Sequence, residues 1–292
     1  MSGLQSILLA SDLSAQAERA GRRAARLADE AGARLAAVHV IEGELPQVPL
    51  PEGADPAAHL EAAVRERLQA GTPGREAALH VRFGSPVAGI SEVAEAEGAE
   101  LVVVGAHGRQ HWADWLVGTT ADQLVRHHQA PTLVVRSEPS GPYGRVLVAT
   151  DFSACARAAL QRVADWFPGA EVSLLHAIDT QLLEQMREAG VEERWLERRY
   201  EDWREQAEAQ LREEARVCGL DPERVGLELR SGYPAEAVAE AARTLAPELL
   251  VMGNHGRGRW RDIVLGSVAA RALQQSGADL LLVREGPQPI RG

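Results

Sequence analysis

The feature that most constrains this chain is that it repeats itself. ILLASDLS at residues 7–14 returns as VLVATDFS at 146–153, an offset of 139, and LVVVGAHGR beginning at 101 returns as LLVMGNHGR beginning at 249, an offset of 148. A repeat of that length is a whole domain, and 292 residues suit two domains of about 100 to 200 residues each. The domains are expected at 1–138 and 143–286, joined by SEPSGPYG at 137–144, a segment of turn-forming residues. The growth in offset locates an expansion of the second copy. AVHVIE (37–42) aligns with LHAID (175–179) and FGSP (83–86) with SGYP (231–234), so the added residues lie between them. The stretch from Gln181 to Cys218 is dense in Glu and Arg, with Trp195, Tyr200 and Trp203 at helical spacing, and predicts one or two long amphipathic helices.

Within each copy, short β-branched or leucine runs alternate with helical patterns. In the first copy strands are expected near 5–10, 34–40, 77–83, 100–105 and 131–136, with helices between. LVVVG and LLVMG lack polar alternation, as central parallel strands covered on both faces should. The expected fold class is therefore α/β: two tandem, open, five-stranded parallel sheets with helices on both faces, a Rossmann-like architecture.

Composition narrows the chemistry. All 31 basic residues are arginine, which removes a Walker-A lysine, Schiff-base catalysis and lysine-dependent phosphoryl transfer from this chain acting alone. A net charge of −11, shared by two acidic halves, argues against nucleic acid or an anionic membrane as a partner. The apolar runs are short, no secretory leader pattern opens the sequence, and a cytoplasmic location is expected. Cys155 and Cys218 are expected to be free thiols.

Ligands of open α/β sheets bind beyond the carboxyl ends of the strands, where strand order reverses. Two matched features fall there. Asp12 follows the first strand in the context Ala10-Ser11-Asp12, and Asp151 in the context Ala149-Thr150-Asp151. A carboxylate so placed can accept from ribose hydroxyls or an adenine amino group; alternatively it caps the helix that follows. The second feature is Gly105-x2-Gly108-x9-Gly118-Thr119, repeated as Gly253-x2-Gly256-x9-Gly266-Ser267. Glycines after a strand let backbone amides approach an anion, and the closing Gly-Thr or Gly-Ser opens a helix whose N-terminus favours phosphate.

ASDLS and ATDFS, the strands carrying His39-Val40 and His176-Ala177, the Gly-x-Pro elements and the GAHGR or GNHGR loops together resemble the universal stress protein family, twice over and across nearly the whole chain. The resemblance implies the adenine nucleotide α-hydrolase-like fold, and the glycine motif marks the ATP-binding branch. It implies ATP, or AMP or ADP, as ligand, with magnesium held mainly by the phosphates. Asp12 and Asp151 would contact adenosine, and the backbones of Val40 and Ala177 the adenine edge. Phosphate and ribose contacts would come from Gly105, His107, Gly108, Arg109, Gly118, Thr119 and Thr120 in the first copy. In the second they would come from Gly253, His255, Gly256, Arg257, Gly266, Ser267 and Val268. Single modules of the family dimerise through their last strands, so PTLVVR (131–136) and DLLLVR (279–284) would meet within one chain as a pseudo-dimer; whether two such chains pair further is open.

The copies also differ. RGRWRDIVL (257–265) carries Arg257, Arg259 and Arg261 against one aspartate, whereas RQHWADWLV (109–117) sets Arg109 against Asp114. The second pocket is thus expected to hold triphosphate more tightly, unless those arginines are spent in surface ion pairs. His107 and His111 do not make a metal site, because Gly108 intervenes and no further ligand is in view. His39 and His176 are expected to be hydrogen-bonded histidines of the core or cleft, and His127-His128 a pair favoured by a helix C-terminus. The function expected is that of a nucleotide-binding stress regulator or sensor with an unidentified protein partner, and no catalytic residue is assigned. The alternatives are a slow ATPase, an adenylate-transferring enzyme of the same fold, for which SGGxDS and HxGH signatures are missing, or a scaffold with vestigial pockets.

Overall fold

The computed structural model describes residues 3–42, 56–72, 76–106, 119–254 and 266–284. The chain divides into two compact units, Met1–Pro142 and Tyr143–Gly292. The first runs β1 (Ser6–Ala10), α1 (Ala15–Ala31), β2 (Arg34–Ile41), α2 (Pro56–Gly71), β3 (Ala78–Phe83), α3 (Pro86–Glu97), β4 (Leu101–Gly105), α4 (Thr119–His127) and β5 (Thr132–Val135). Its strands lie in the order β3-β2-β1-β4-β5, all parallel. The second runs β6 (Arg145–Ala149), α5 (Ala154–Trp166), β7 (Glu171–Ile178), α6 (Gln181–Glu188), α7 (Glu193–Val217), β8 (Gly226–Ser231), α8 (Pro234–Leu245), β9 (Leu249–Gly253), α9 (Ser267–Gln275) and β10 (Asp279–Val283). Its order, β8-β7-β6-β9-β10, is the same.

Strand order reverses between β1 and β4, and between β6 and β9. Parallel neighbours need right-handed crossovers, which put α1 and α2 on one face and α3 and α4 on the other. The contacts agree: α1 lies on β1, β4 and β5 and touches α2, while α3 lies on β1, β2 and β3 and touches α4. β1 and β4 are covered from both sides, so they carry unbroken apolar runs, buried throughout except at Gly105. The edge strands β3 and β8 are mostly half-buried and admit Arg82, Glu228 and Arg230.

Local chemistry sets the helix ends. Ser14 and Ser153 cap α1 and α5, each side-chain oxygen accepting from the amide three residues on. The Gly-x-Pro elements become turns in which Gly84 and Gly232 take φ of 112° and 117°, and Pro86 and Pro234 start α3 and α8. α1 lays a stripe of Ala17, Ala20, Ala24 and Ala28 on the sheet, small side chains that bring helix and strands close. Its arginines hold the segment leaving β5: Arg22 forms a two-pronged pair with Glu138, and buried Arg23 donates to the Gly141 carbonyl at 2.8 Å.

The expansion of the second copy is a helical hairpin. Gly190, at φ 85°, turns the chain between α6 and α7. Leu183 of α6 and Leu196, Ala207, Leu211 and Ala215 of α7 are buried, while Leu182 and Trp195 stay exposed.

Candidate functional site

In each unit strand order reverses between the two central strands, and sheets of this kind take their ligands in a crevice beyond the carboxyl ends of those strands. One wall is the loop leaving β1 or β6. Ser11 donates its amide to the Val38 carbonyl at 2.9 Å, tying the loop to β2, and its side-chain Oγ accepts from the Leu13 amide at 3.1 Å. Asp12 Oδ1 accepts from the Ser14 amide at 3.0 Å. Between them Leu13 is held at φ 62°, a left-handed conformation that costs a non-glycine residue roughly 1–2 kcal/mol. His39 fixes the loop from β2, its Nδ1 lying 2.7 Å from the Ser11 carbonyl oxygen.

The second unit repeats this wall bond for bond. Thr150 donates its amide to Leu175, and its Oγ1 accepts from the Phe152 amide at 3.0 Å. Asp151 Oδ1 accepts from Ser153, Phe152 takes φ 61°, and His176 Nδ1 lies 2.8 Å from the Thr150 carbonyl oxygen. The two histidines are thus the hydrogen-bonded cleft residues that the sequence suggests. The aspartates are not helix caps, since Ser14 and Ser153 hold that position. Each instead folds its own loop in an Asx turn at the strand end.

The opposite wall begins at Gly105 and Gly253. Both end their strands, and both have a packing reason to be glycine. A Cβ on Gly105 would lie 3.0 Å from the Gln16 carbonyl carbon and 3.2 Å from the Ala17 amide nitrogen; on Gly253 it would lie 2.7 Å from Cys155 Cβ. These glycines let the first turn of α1 and of α5 sit against the central strand. The next residues are anchored to the last strands, Ala106 to Val135 and Asn254 to Val283, each at 2.9 Å.

In the second unit the Gly266 amide returns to the Asn254 carbonyl at 3.0 Å and closes the base of the loop between them. Gly266 then stands at the N-cap of α9, with Ser267 exposed and Val268 half-buried on its first turn. α4 starts correspondingly at Thr119, with Thr120 half-buried. Both helices therefore begin where the glycine pattern predicts, and present N-terminal amides at the crevice end of the sheet. His107, Gly108, Arg109 and Gly118 of the first loop lie outside the described residues, as do His255, Gly256 and Arg257 of the second. So do His111, Asp114, Arg259 and Arg261, on which the metal and charge-asymmetry readings turn.

Val40 and Ala177 lie near the ends of β2 and β7, half-buried beside the Ser11 and Thr150 loops. His127 ends α4 and His128 follows it, its amide donating to the Leu124 carbonyl at 2.8 Å; His128 is buried, with its Nδ1 3.2 Å from Ser91 Oγ of α3. Among the described residues no three His, Cys, Asp or Glu side chains come together to hold a metal, and no helix is long and apolar enough to cross a membrane. Cys155 and Cys218 are free and buried. A separate groove of about 690 Å³ runs between α8 and α9, bordered by Arg243, Arg271 and Ser276; it opens by Pro247 and Ala278, at the amino ends of β9 and β10, away from the crevice.

Two open parallel sheets, each with a reversal of strand order and helices on both faces, define a pair of doubly wound α/β modules. The universal stress protein family model matches residues 3–136 and again 142–284, and the chain belongs to that family. It is 27% identical over 247 residues to universal stress protein Rv1996 of Mycobacterium tuberculosis, across 78% of this chain and 72% of that one. It is 28% identical over 159 residues to universal stress protein MJ0577 of Methanocaldococcus jannaschii, across 49% of this chain and 95% of the relative. The crystal structure of a universal stress protein from Archaeoglobus fulgidus matches in fold with a TM-score of 0.65 at 19% identity, covering 96% of this chain and 98% of that one.

Proposed function

We propose that each unit binds an adenine nucleotide in its crevice and that the protein acts as a stress-response regulator or sensor rather than a fast enzyme. The observation that carries this reading is the twofold recurrence of one strained loop. A left-handed non-glycine residue is held beside an aspartate by three conserved-in-kind hydrogen bonds, in both copies, where a sheet of this class takes its ligand. Strain kept twice at one place supports a binding role, since strained backbone collects at ligand sites.

The chemistry fits a nucleotide. The aspartates offer acceptors for ribose hydroxyls, and the first turns of α4 and α9 offer amides and a favourable dipole to phosphate. The glycine loops leading into those helices would complete the phosphate cradle through Gly105, His107, Gly108, Arg109, Gly118, Thr119 and Thr120, and through Gly253, His255, Gly256, Arg257, Gly266, Ser267 and Val268. Magnesium, when bound, would neutralise phosphate charge. The tandem repeat fits an intrachain pair of such modules, and Arg257, Arg259 and Arg261 make the second the expected tighter site for triphosphate.

Isothermal titration with ATP, ADP and AMP tests the reading. Two saturable sites are expected, one lost in Asp12→Ala and the other in Asp151→Ala. Phosphate release over a long incubation distinguishes slow hydrolysis from binding alone, and no binding up to millimolar ATP would leave a scaffold.

A further inference from the structure

The two aspartate loops share their internal hydrogen bonds but are held from outside by different elements. In the first unit α2 reaches the loop through Arg67, whose guanidinium donates to the carbonyl of strained Leu13 at 2.9 Å. In the second unit α7, part of the expanded segment, reaches it through a carboxylate. Glu214 is 3% exposed; its Oε2 accepts from Thr150 Oγ1 at 3.2 Å and its Oε1 from Arg157 Nη2 at 3.1 Å.

A buried carboxylate is costly unless its oxygens are satisfied. Glu214 meets that condition with one site residue and one arginine of α5. The bond to Thr150 has a directional consequence. A hydroxyl carries one proton, and once it is donated to Glu214 the remaining lone pairs of Thr150 Oγ1 are left to accept. One of them takes the Phe152 amide, the bond that holds the left-handed residue beside Asp151. In the first unit, Ser11 Oγ has only the Leu13 amide as a hydrogen-bond partner among the described residues.

We infer that Glu214 is a positioning residue of the second nucleotide pocket: through Thr150 it lets the α6–α7 hairpin set the shape, and so the affinity, of the Asp151 loop, whereas among the described residues the first loop is tied from outside at the Leu13 carbonyl and not at Ser11 Oγ. The affinity arm of this inference rests on the nucleotide-binding reading above; the positioning arm does not. A displacement of α7 would release the Thr150 hydroxyl and loosen the second loop while leaving the Asp12 loop as it was. The two modules would then respond to different events, the second to whatever moves the hairpin.

Hydrogen–deuterium exchange on the full chain, combined with ATP titration, tests this. In Glu214→Ala, exchange of peptides covering 150–154 is expected to rise about tenfold, the usual size for losing a hydrogen bond to a charged group. Peptides covering 11–15 and the central strand 249–253 are expected to keep their rates. Glu214→Gln retains a carbonyl oxygen acceptor and should restore most of the protection. In the titration the second-site Kd should weaken about tenfold with the first-site Kd unchanged, and the Gln variant should fall between.

Equal loosening of both aspartate loops, or exchange at 150–154 that changes only in step with 249–253, would overturn the inference by showing a general loss of stability. So would two unchanged affinities in a protein that binds ATP. If the unaltered protein binds no nucleotide, the functional reading falls, and the exchange experiment still decides whether Glu214 positions the loop.

Discussion

At the scale of single residues, the glycines that end β4 and β9 show how a visible motif can have an invisible cause. Their spacing stands out in the sequence, but what makes them glycine is the backbone of α1 and α5, which no spacing reveals. Gly105→Ala and Gly253→Ala should each destabilise the protein by about 1–3 kcal/mol in urea unfolding. The second should cost more, because its Cβ would fall 2.7 Å from that of Cys155. The left-handed Leu13 and Phe152 were illegible for a related reason: both are apolar residues that ordinarily avoid positive φ, and the surrounding hydrogen bonds that hold them there do not show in the sequence. Cys218 adds a pH signature. Burial, reinforced by the charge of Glu214, pushes its thiol up to about 11. The folded protein then keeps a proton that the unfolded chain releases near pH 9, so stability is full below about pH 9 and falls as pH rises toward 11. Melting temperatures across that window should decline less in Cys218→Ala than in the parent.

At the scale of elements, the strands and the starts of α4 and α9 were legible because their determinants are local. Apolar runs without alternation are central strands, and Gly-Thr and Gly-Ser mark α4 and α9. The expanded segment was legible as helix from its charge and aromatic spacing. Its attachment to the second crevice was not, because the relevant residue, Glu214, is one of many glutamates in the segment and is distinguished only by burial. The hairpin should unfold with its unit rather than fray from it. Leu211→Ala, at a fully buried position, is expected to cost about 2–5 kcal/mol, whereas Trp195→Ala, at an exposed one, should stay within about 0.5 kcal/mol. Chemical denaturation of the two variants checks the contrast. His127 and His128 lie at the end of α4, as their place in the sequence suggests; what the sequence does not show is that His128 is buried against Ser91.

At the scale of the whole molecule, duplication is what made the chain readable. One aspartate after a strand is ambiguous, and one glycine-rich turn is common; their joint recurrence led to the family, whose model matches both halves. Divergence between the copies is the part that carries regulation in this account. The first loop is steadied by Arg67 of α2, the second by Glu214 of the α6–α7 hairpin, so the modules are related in structure and, on the inference above, unequal in control. Both crevices are proposed to take an adenine nucleotide. Isothermal titration of the full chain with ATP, repeated in Asp12→Ala and Asp151→Ala, tests it most directly. Two saturable sites of unequal affinity, each abolished by its own substitution, are the predicted result; a flat titration up to millimolar ATP, or binding indifferent to both substitutions, would contradict it.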